Sequence, residues 1–389
     1  MGMSAAAPLR IVDADSLEGV SAPEWNALTG ASDPFLEHEF LRALETSDAI
    51  GEGTGWLPWY VLAQRGGKLV GALPVFTKWD SYGEFIFDWN WAEAYGRAGL
   101  RYYPKAVLAA PFTPVAGPRL LVADGAPQDV ASAMVEHLLA RARERGLSSV
   151  HVLFAPSDQC ELLENHGFLP RVTHQYHWLN RGYACFEDFL SDLRSSKRKQ
   201  INKERRSLAE TGIEVEVLEG DALHAEHEEA MWRFYASTLE RKFSDAYLNR
   251  ATFARLFESF RHRLVLILAR DRRGWIGGAL HVRKGEGLYG RYWGCDRQVP
   301  GLHFECCYYR AIDYAVANRL SVVEAGAQGE HKFLRGFVAR PIYSAHWMAH
   351  PGARAAIAES LNLERTRALE VIRAYNQVSP VKAARGGPA

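Results

Sequence analysis

The chain has 389 residues, with 46 Lys and Arg against 46 Asp and Glu. That length suggests about two or three domains. Balanced charge excludes a surface given over wholly to nucleic acid or anionic lipid, so any such binding falls to a local patch. A hydrophobic share of 48% supports a real core and excludes global disorder.

Cys160, Cys185, Cys295, Cys306 and Cys307 form no even, spaced framework. Reduced thiols and a cytoplasmic location are expected. Met1–Pro8 lacks the pattern of a secretory signal, so none is expected; no apolar run is long enough to span a bilayer, and no P-loop, dinucleotide fingerprint or G-x-S-x-G elbow is present. His303-Phe304-Glu305 has the H-x-E form of zinc deaminases but lacks the downstream P-C-x-x-C, so no metal is expected.

The chain repeats itself. Val61–Leu73 reads as a hairpin around Gly66-Gly67, and Ile267–Leu280 repeats it, with Gly71-Ala72-Leu73 matching Gly278-Ala279-Leu280. Residues 128–145 carry Val130, Met134, Leu138 and Ala142 at helical spacing, followed by a strand over Val150–Phe154. Residues 303–318 repeat the helix, and Leu320–Glu324 matches Leu147–His151. Gly167-Phe168 precedes His177-Trp178 as Gly336-Phe337 precedes His346-Trp347. Two copies of one α/β domain are expected, over 8–185 and 186–378, each a mixed, mostly antiparallel sheet flanked by helices. Ser379–Ala389 is expected to be a disordered tail.

Between the copies, Arg194 to Arg206 holds seven basic residues and one acidic. With Leu190, Leu193, Ile201 and Leu208 as an apolar stripe, it reads as a helix with a positive outer face. That face is either simply solvated or a phosphate-binding surface using Lys197, Lys199, Lys203 and Arg206. Residues 355–376 form a last amphipathic helix.

The tandem order of hairpin, helix and strand resembles the FemAB-like branch of the GNAT acyltransferase superfamily. The resemblance rests on Lys197–Ile213, Leu302–Arg319 and Glu324–Phe333 with Arg335-Gly336-Phe337. In the first half it rests on Pro34-Phe35-Leu36, Gly71–Pro74, Ser81–Glu84, Phe87-Asp88-Trp89, Arg101–Lys105 and Pro111–Pro114. It implies two tandem GNAT-like domains, the first recognising an acceptor and the second catalytic. The implied activity moves an acyl or aminoacyl group from an activated donor to an amine. The acceptor would be a small molecule or a cell-wall precursor. The donor would be aminoacyl-tRNA or acyl-CoA, making tRNA a partner but not DNA, with no tightly bound cofactor. The alternatives are an acyl-CoA-dependent N-acetyltransferase acting on a small amine and a non-catalytic ligand-binding protein of the same fold. Coenzyme A enzymes usually show [QR]-x-x-G-x-[GA]. Here Gln298–His303 ends in His, and Pro300 removes an N–H near Gly301, which favours the tRNA-borne donor.

Amine acylation needs a proton acceptor and a partner for the oxyanion. The second copy has the richer polar set. Glu324 ends a predicted strand and leads into a turn carrying Gln328, Glu330, His331 and Lys332. Glu324, Glu330 or His303 would take the proton and Lys332 would offset negative charge. The structural alternatives are a capping or Arg-paired Glu324, a helix-starting His303 and an exposed loop Lys332. Arg291, Tyr292 and Trp293 would line the groove, unless the two rings belong to the core. In the first copy a long aromatic loop with Asp88, Trp89, Tyr95, Arg101, Tyr102 and Lys105 would receive the acceptor.

Overall fold

The computed structural model describes residues 7–127, 129–242, 246–327 and 329–382. Its strands, in chain order, are β1 (Leu9–Ala14), β2 (Leu57–Arg65), β3 (Lys68–Lys78), β4 (Lys105–Leu108), β5 (Leu121–Val122), β6 (Ser149–Ala155), β7 (Leu169–Leu179), β8 (Glu214–Glu219), β9 (Leu264–Asp271), β10 (Gly274–Lys284), β11 (Gly287–Cys295), β12 (Val322–Glu324) and β13 (Val338–Met348). They belong to two compact units. One contains Met1–Thr173 and Ile342–Ala368, the other His174–Pro341 and Leu369–Ala389.

In the first unit β1, β2, β3 and β4 run antiparallel in succession, β4 pairs parallel with β6, and the end of β13 closes the sheet antiparallel to β6. The β2–β3 hairpin turns through Gly66 and Gly67, at φ 58 and 80. Two successive positive φ values are what a tight turn matching strand twist requires, and glycine adopts them without a Cβ clash. The helix Asp129–Glu144 lays Val130, Met134, Leu138 and Ala142 on the sheet. A Cβ on Gly71 would stand 2.8 Å from Cε of Met134, so the glycine permits this close helix–strand contact.

The second unit repeats the order. β8, β9, β10 and β11 are antiparallel neighbours, β11 pairs parallel with β12, and the end of β7 closes the sheet. Gly278, the counterpart of Gly71, is equally crowded, since a Cβ there would clash with Cδ2 of Leu268. Residues 302–317 form one run of helix interrupted by a π turn over Glu305–Tyr309. Such turns replace regular i→i−4 bonding and occur often at functional sites.

Each unit is therefore completed by a strand from the opposite sequence repeat. His346-Trp347, from the second repeat, pairs in the first unit, while His177-Trp178, from the first repeat, pairs in the second.

Three local readings change. The aromatic stretch after Asp88 is a helix, Trp89–Arg97, rather than a long loop. Trp91 and Tyr95 lie one turn apart on its buried face, and that burial, with Ala92, Glu93 and Ala94 between them, outweighs the aromatic residues and Gly96 that read as loop. Lys332 lies in a short 3-10 helix, residues 330–335, rather than on an open turn. The last helix runs over Pro351–Gln377. Val381 bridges to Leu193, and residues 383–389 of the expected tail lie outside the described residues.

Candidate functional site

In the second unit, β12 ends at Glu324 while β11 continues to Cys295, so their pairing covers only Gly287–Tyr289. Past that point a cavity of about 90 Å³ opens, lined by His281, Gly290, Arg291, Tyr292, Trp293, His303, Cys307, Tyr308 and Ala325 among others. A β-bulge at Leu280/His281 marks the neighbouring strand. The cavity thus brings together Arg291, Tyr292, Trp293 and His303, all expected from sequence, and adds His281 and Tyr308, which were not.

His303 is the second residue of the helix that follows Gly301, and its ring lies 5.3 Å from Trp293, 5.4 Å from Tyr308 and 5.8 Å from His331. Tyr308 Oη and His331 Nε2 are 2.8 Å apart. Burial lowers the pKa of His331, and the charges of Lys332 and Arg335 lower it further. Lys332 is only 2% exposed. Its Nζ donates to the carbonyl of Gly326 at 2.6 Å, and burial brings its pKa down to about 8. Glu324 is buried opposite His177, whose Nδ1 lies 3.9 Å from Oε1. Burial holds His177 neutral, at a pKa of about 3. Gln328 and the side chain of Glu330 lie outside the described residues.

The basic helix spans Ser195–Ala209. Ile201 and Leu208 are buried, Lys199, Lys203 and Arg206 are exposed, and Lys197 is half-buried. Arg205 turns inward to Glu305 at 3.1 Å and Asp313 at 2.8 Å. Glu204 accepts from Arg335 and from Tyr309 Oη. A Cβ on Gly301 would stand 3.7 Å from the carbonyl oxygen of Glu204, so this helix's backbone lies against the Gly301 turn.

The first unit holds a different arrangement. Lys105, fully buried, donates to Ser81 at 2.8 Å, to Glu84 at 2.9 Å and to Asp88. Tyr102 also donates to Asp88, at 2.5 Å. Lys78, equally buried, donates to the carbonyls of Gly55 and Tyr82 and sits 3.9 Å over the Trp56 ring. Burial raises Glu84 to about 7, against the pull of Lys105, and lowers Lys78 to about 8. Of the acceptor residues expected from sequence, Asp88, Tyr102 and Lys105 therefore meet in one buried ionic cluster. Tyr95 is buried with its hydroxyl 3.7 Å from Sδ of Met348. Trp89 and Arg101 stay at the surface. Lys78 carried no signal beyond its charge, and Glu84 entered only through the resemblance of Ser81–Glu84.

The two units carry the same sheet order, in tandem. The chain belongs to the FemAB-like family, described as peptidoglycan biosynthesis/recognition, which it matches over residues 16–383. Among solved structures it is similar to FemX, with a TM-score of 0.55 at 12% identity over 87% of this chain and 98% of that one. A conserved protein of unknown function from Bacteroides thetaiotaomicron gives 0.51 at 12% identity, over 87% and 100%. L-PGS from Bacillus licheniformis gives 0.50 at 9% identity, over 86% and 98%. These likenesses concern the fold. A comparison with curated proteins gives no match.

Proposed function

We propose that the protein transfers an acyl or aminoacyl group from an activated ester or thioester to an amine, at the cavity beside β11. The observation that carries this reading is the cavity itself. It lies where β12 has ended, so strand edges, His303 and Arg291 face one small space in a family of acyltransferase fold. There the amine nitrogen bonds to the acyl carbon, the carbonyl becomes an oxyanion, and the bond to the leaving oxygen or sulfur breaks. The amine must shed a proton and the leaving group must gain one. His303 lines the cavity and is the group placed to accept that proton. Of the other two candidates, Glu324 faces His177 instead, and the side chain of Glu330 lies outside the described residues. Lys332 is not among the lining residues, but its charge acts on Cys307, which is, and from behind the wall the ammonium would offset developing negative charge.

A tRNA-borne donor fits better than acyl-CoA. Pro300 removes one N–H from the turn before Gly301, where a diphosphate would need backbone donors. The exposed Lys199, Lys203 and Arg206 offer the phosphate-binding face instead. The acceptor is a small-molecule or cell-wall-precursor amine. No helix among the described residues is long and apolar enough to cross a membrane.

The test is transfer of label from a panel of charged tRNAs and acyl-CoAs to a pool of amines that includes cell-wall precursors. Transfer that His303→Asn abolishes supports the reading. Absence of transfer from every donor, with tight ligand binding instead, would establish a non-catalytic binding protein.

A further inference from the structure

The cavity beside β11 holds one buried group that the transfer step leaves unused, the imidazole of His281. His281 lines the cavity and is 1% exposed. Its Nδ1 is buried with no hydrogen-bond partner among the described residues. A buried polar atom left bare is costly and uncommon. The first repeat shows that the fold does not require one here. Gly71-Ala72-Leu73-Pro74 matches Gly278-Ala279-Leu280-His281, so the equivalent strand position carries a proline ring with no polar atom.

The backbone aims the ring. Leu280 pairs with Tyr292 but His281 pairs with Gly290, which leaves Arg291 as the extra residue of the β-bulge. A bulge turns side chains out of their regular alternation, and His281 and Arg291 both reach the cavity. Gly290 leaves the space beside the ring open, since a Cβ there would come to 3.4 Å from His281 Cδ2. Burial holds the ring neutral, at a pKa of about 4, against the pull of the backbone carbonyls of Cys307 and Ala279. Those carbonyls draw the single N–H of the neutral ring. Nδ1 has no partner, so the proton is on Nε2 and Nδ1 presents a lone pair.

We propose that His281 Nδ1 accepts a hydrogen bond from the reacting nitrogen and thereby selects a primary amine as the acceptor substrate, a step that rests on the transfer reading above. Among the lining side chains, Arg291 and Trp293 carry only donors, which suit a carbonyl oxygen, whereas an imidazole lone pair suits an amine. A neutral primary amine has two N–H bonds and one lone pair. The lone pair forms the bond to the acyl carbon. One proton passes to His303 and on to the leaving oxygen or sulfur, which departs with the electrons of its bond. The second N–H stays on nitrogen, bonded to His281 throughout, and becomes the N–H of the amide product. Holding it there turns the nitrogen lone pair toward the acyl carbon. A secondary amine has one N–H, which the reaction consumes, so Nδ1 would be left bare as the amide forms. A site built to bond a group discriminates strongly against an analogue that lacks it.

The contact is tested by binding and by transfer. For binding, the full chain carrying isotope-labelled histidine is titrated with glycinamide at about pH 8.5, above the ordinary α-amino pKa. The Nδ1 signal of His281, identified by its loss in His281→Asn, should shift. 2-(Dimethylamino)acetamide, whose amine nitrogen carries no hydrogen, should leave it in place. For transfer, glycinamide is compared with its N-methyl analogue sarcosinamide, using whichever donor supports the reaction. The wild type should favour glycinamide by at least about tenfold in kcat/KM, the weight of one hydrogen bond. His281→Phe, which keeps a ring but no acceptor, should lose that preference, and His281→Asn, which restores an acceptor, should recover part of it. A preference that survives in His281→Phe is steric and overturns the proposal, as does an unmoved Nδ1 signal when glycinamide is added to the wild type. Absence of transfer from every donor sinks the transfer reading alone, and the Nδ1 signal still decides whether His281 holds an amine.

Discussion

His151 and His346 face each other across β6 and β13 with their Nδ1 atoms 2.7 Å apart. The matching positions of the two repeats, Glu324 and His177, face each other across β12 and β7. Equivalent cross-strand positions thus carry two chemistries. In the first unit burial pushes both imidazoles well below their ordinary pKa, so both are neutral. One Nδ1 donates and the other accepts, and the Nε2 atoms lie 2.8 Å from Ser149 Oγ and 2.9 Å from Ser344 Oγ.

That arrangement sets the first prediction. His151→Phe or His346→Phe alone leaves a buried ring nitrogen unpaired and should cost about 1–3 kcal/mol. The double variant should cost less than the sum of the singles, by on the order of 1 kcal/mol. Urea denaturation of the four proteins measures the coupling, and strict additivity would show that the bond contributes nothing.

Lys332→Met keeps much of the buried volume and should lower transfer by about 10²–10³-fold. Its pH dependence has a definite sign. The folded pKa of about 8 lies below the ordinary lysine value of 10.5, so between these pH values the unfolded chain binds the extra proton. Stability of the wild type should therefore rise with pH over that window relative to the variant, by on the order of 3 kcal/mol at most. Equal pH slopes in the two proteins would mean that the buried ammonium is not desolvated.

Glu84 has the opposite sense. Its pKa is raised from 4.5 to about 7, so across that interval the folded chain holds the proton that the unfolded chain releases. Stability contributed by the neutral acid is present below pH 4.5 and lost as pH rises toward 7. Glu84→Gln should flatten this slope. Chemical denaturation at pH 5 and pH 7.5 checks it.

If charged tRNA is the donor, changing Lys197, Lys199, Lys203 and Arg206 to Gln should weaken its binding equally for all tRNA sequences. Phosphate contacts position an RNA without reading its bases. The salt dependence should flatten by up to about 0.7 for each phosphate that the helix ceases to neutralise. Filter binding at two salt concentrations, beside calorimetry with acetyl-CoA, distinguishes this helix from a merely solvated one.

The hairpins, the covering helices and the internal repeat were legible because apolar periodicity and turn glycines are local signals. Arg291, Tyr292, Trp293 and His303 were legible because they flank the end of a predicted strand pair. Lys105 was expected beside Asp88 and Tyr102, but its burial with Lys78 and Glu84 was not, because charged residues read as surface until the fold buries them together. Trp89–Arg97 hid its helix because its drive is the burial of two aromatic residues one turn apart. The repeat itself shows that strands are equivalent, not which copy supplies which sheet, so the partnership of His151 with His346 lay beyond it.

The crossing of β7 and β13 bears on how such a chain arises. A single half-chain would leave β6 or β12 with a bare edge, its amides and carbonyls open to any extended segment. Two identical half-chains would satisfy both edges by lending each other their last strand. The present molecule has the connectivity of a strand-exchanged dimer whose partners have been joined end to end. Within one chain the two members of each equivalent pair need not be identical, and they are not: one site holds two imidazoles, the other an imidazole and a carboxylate.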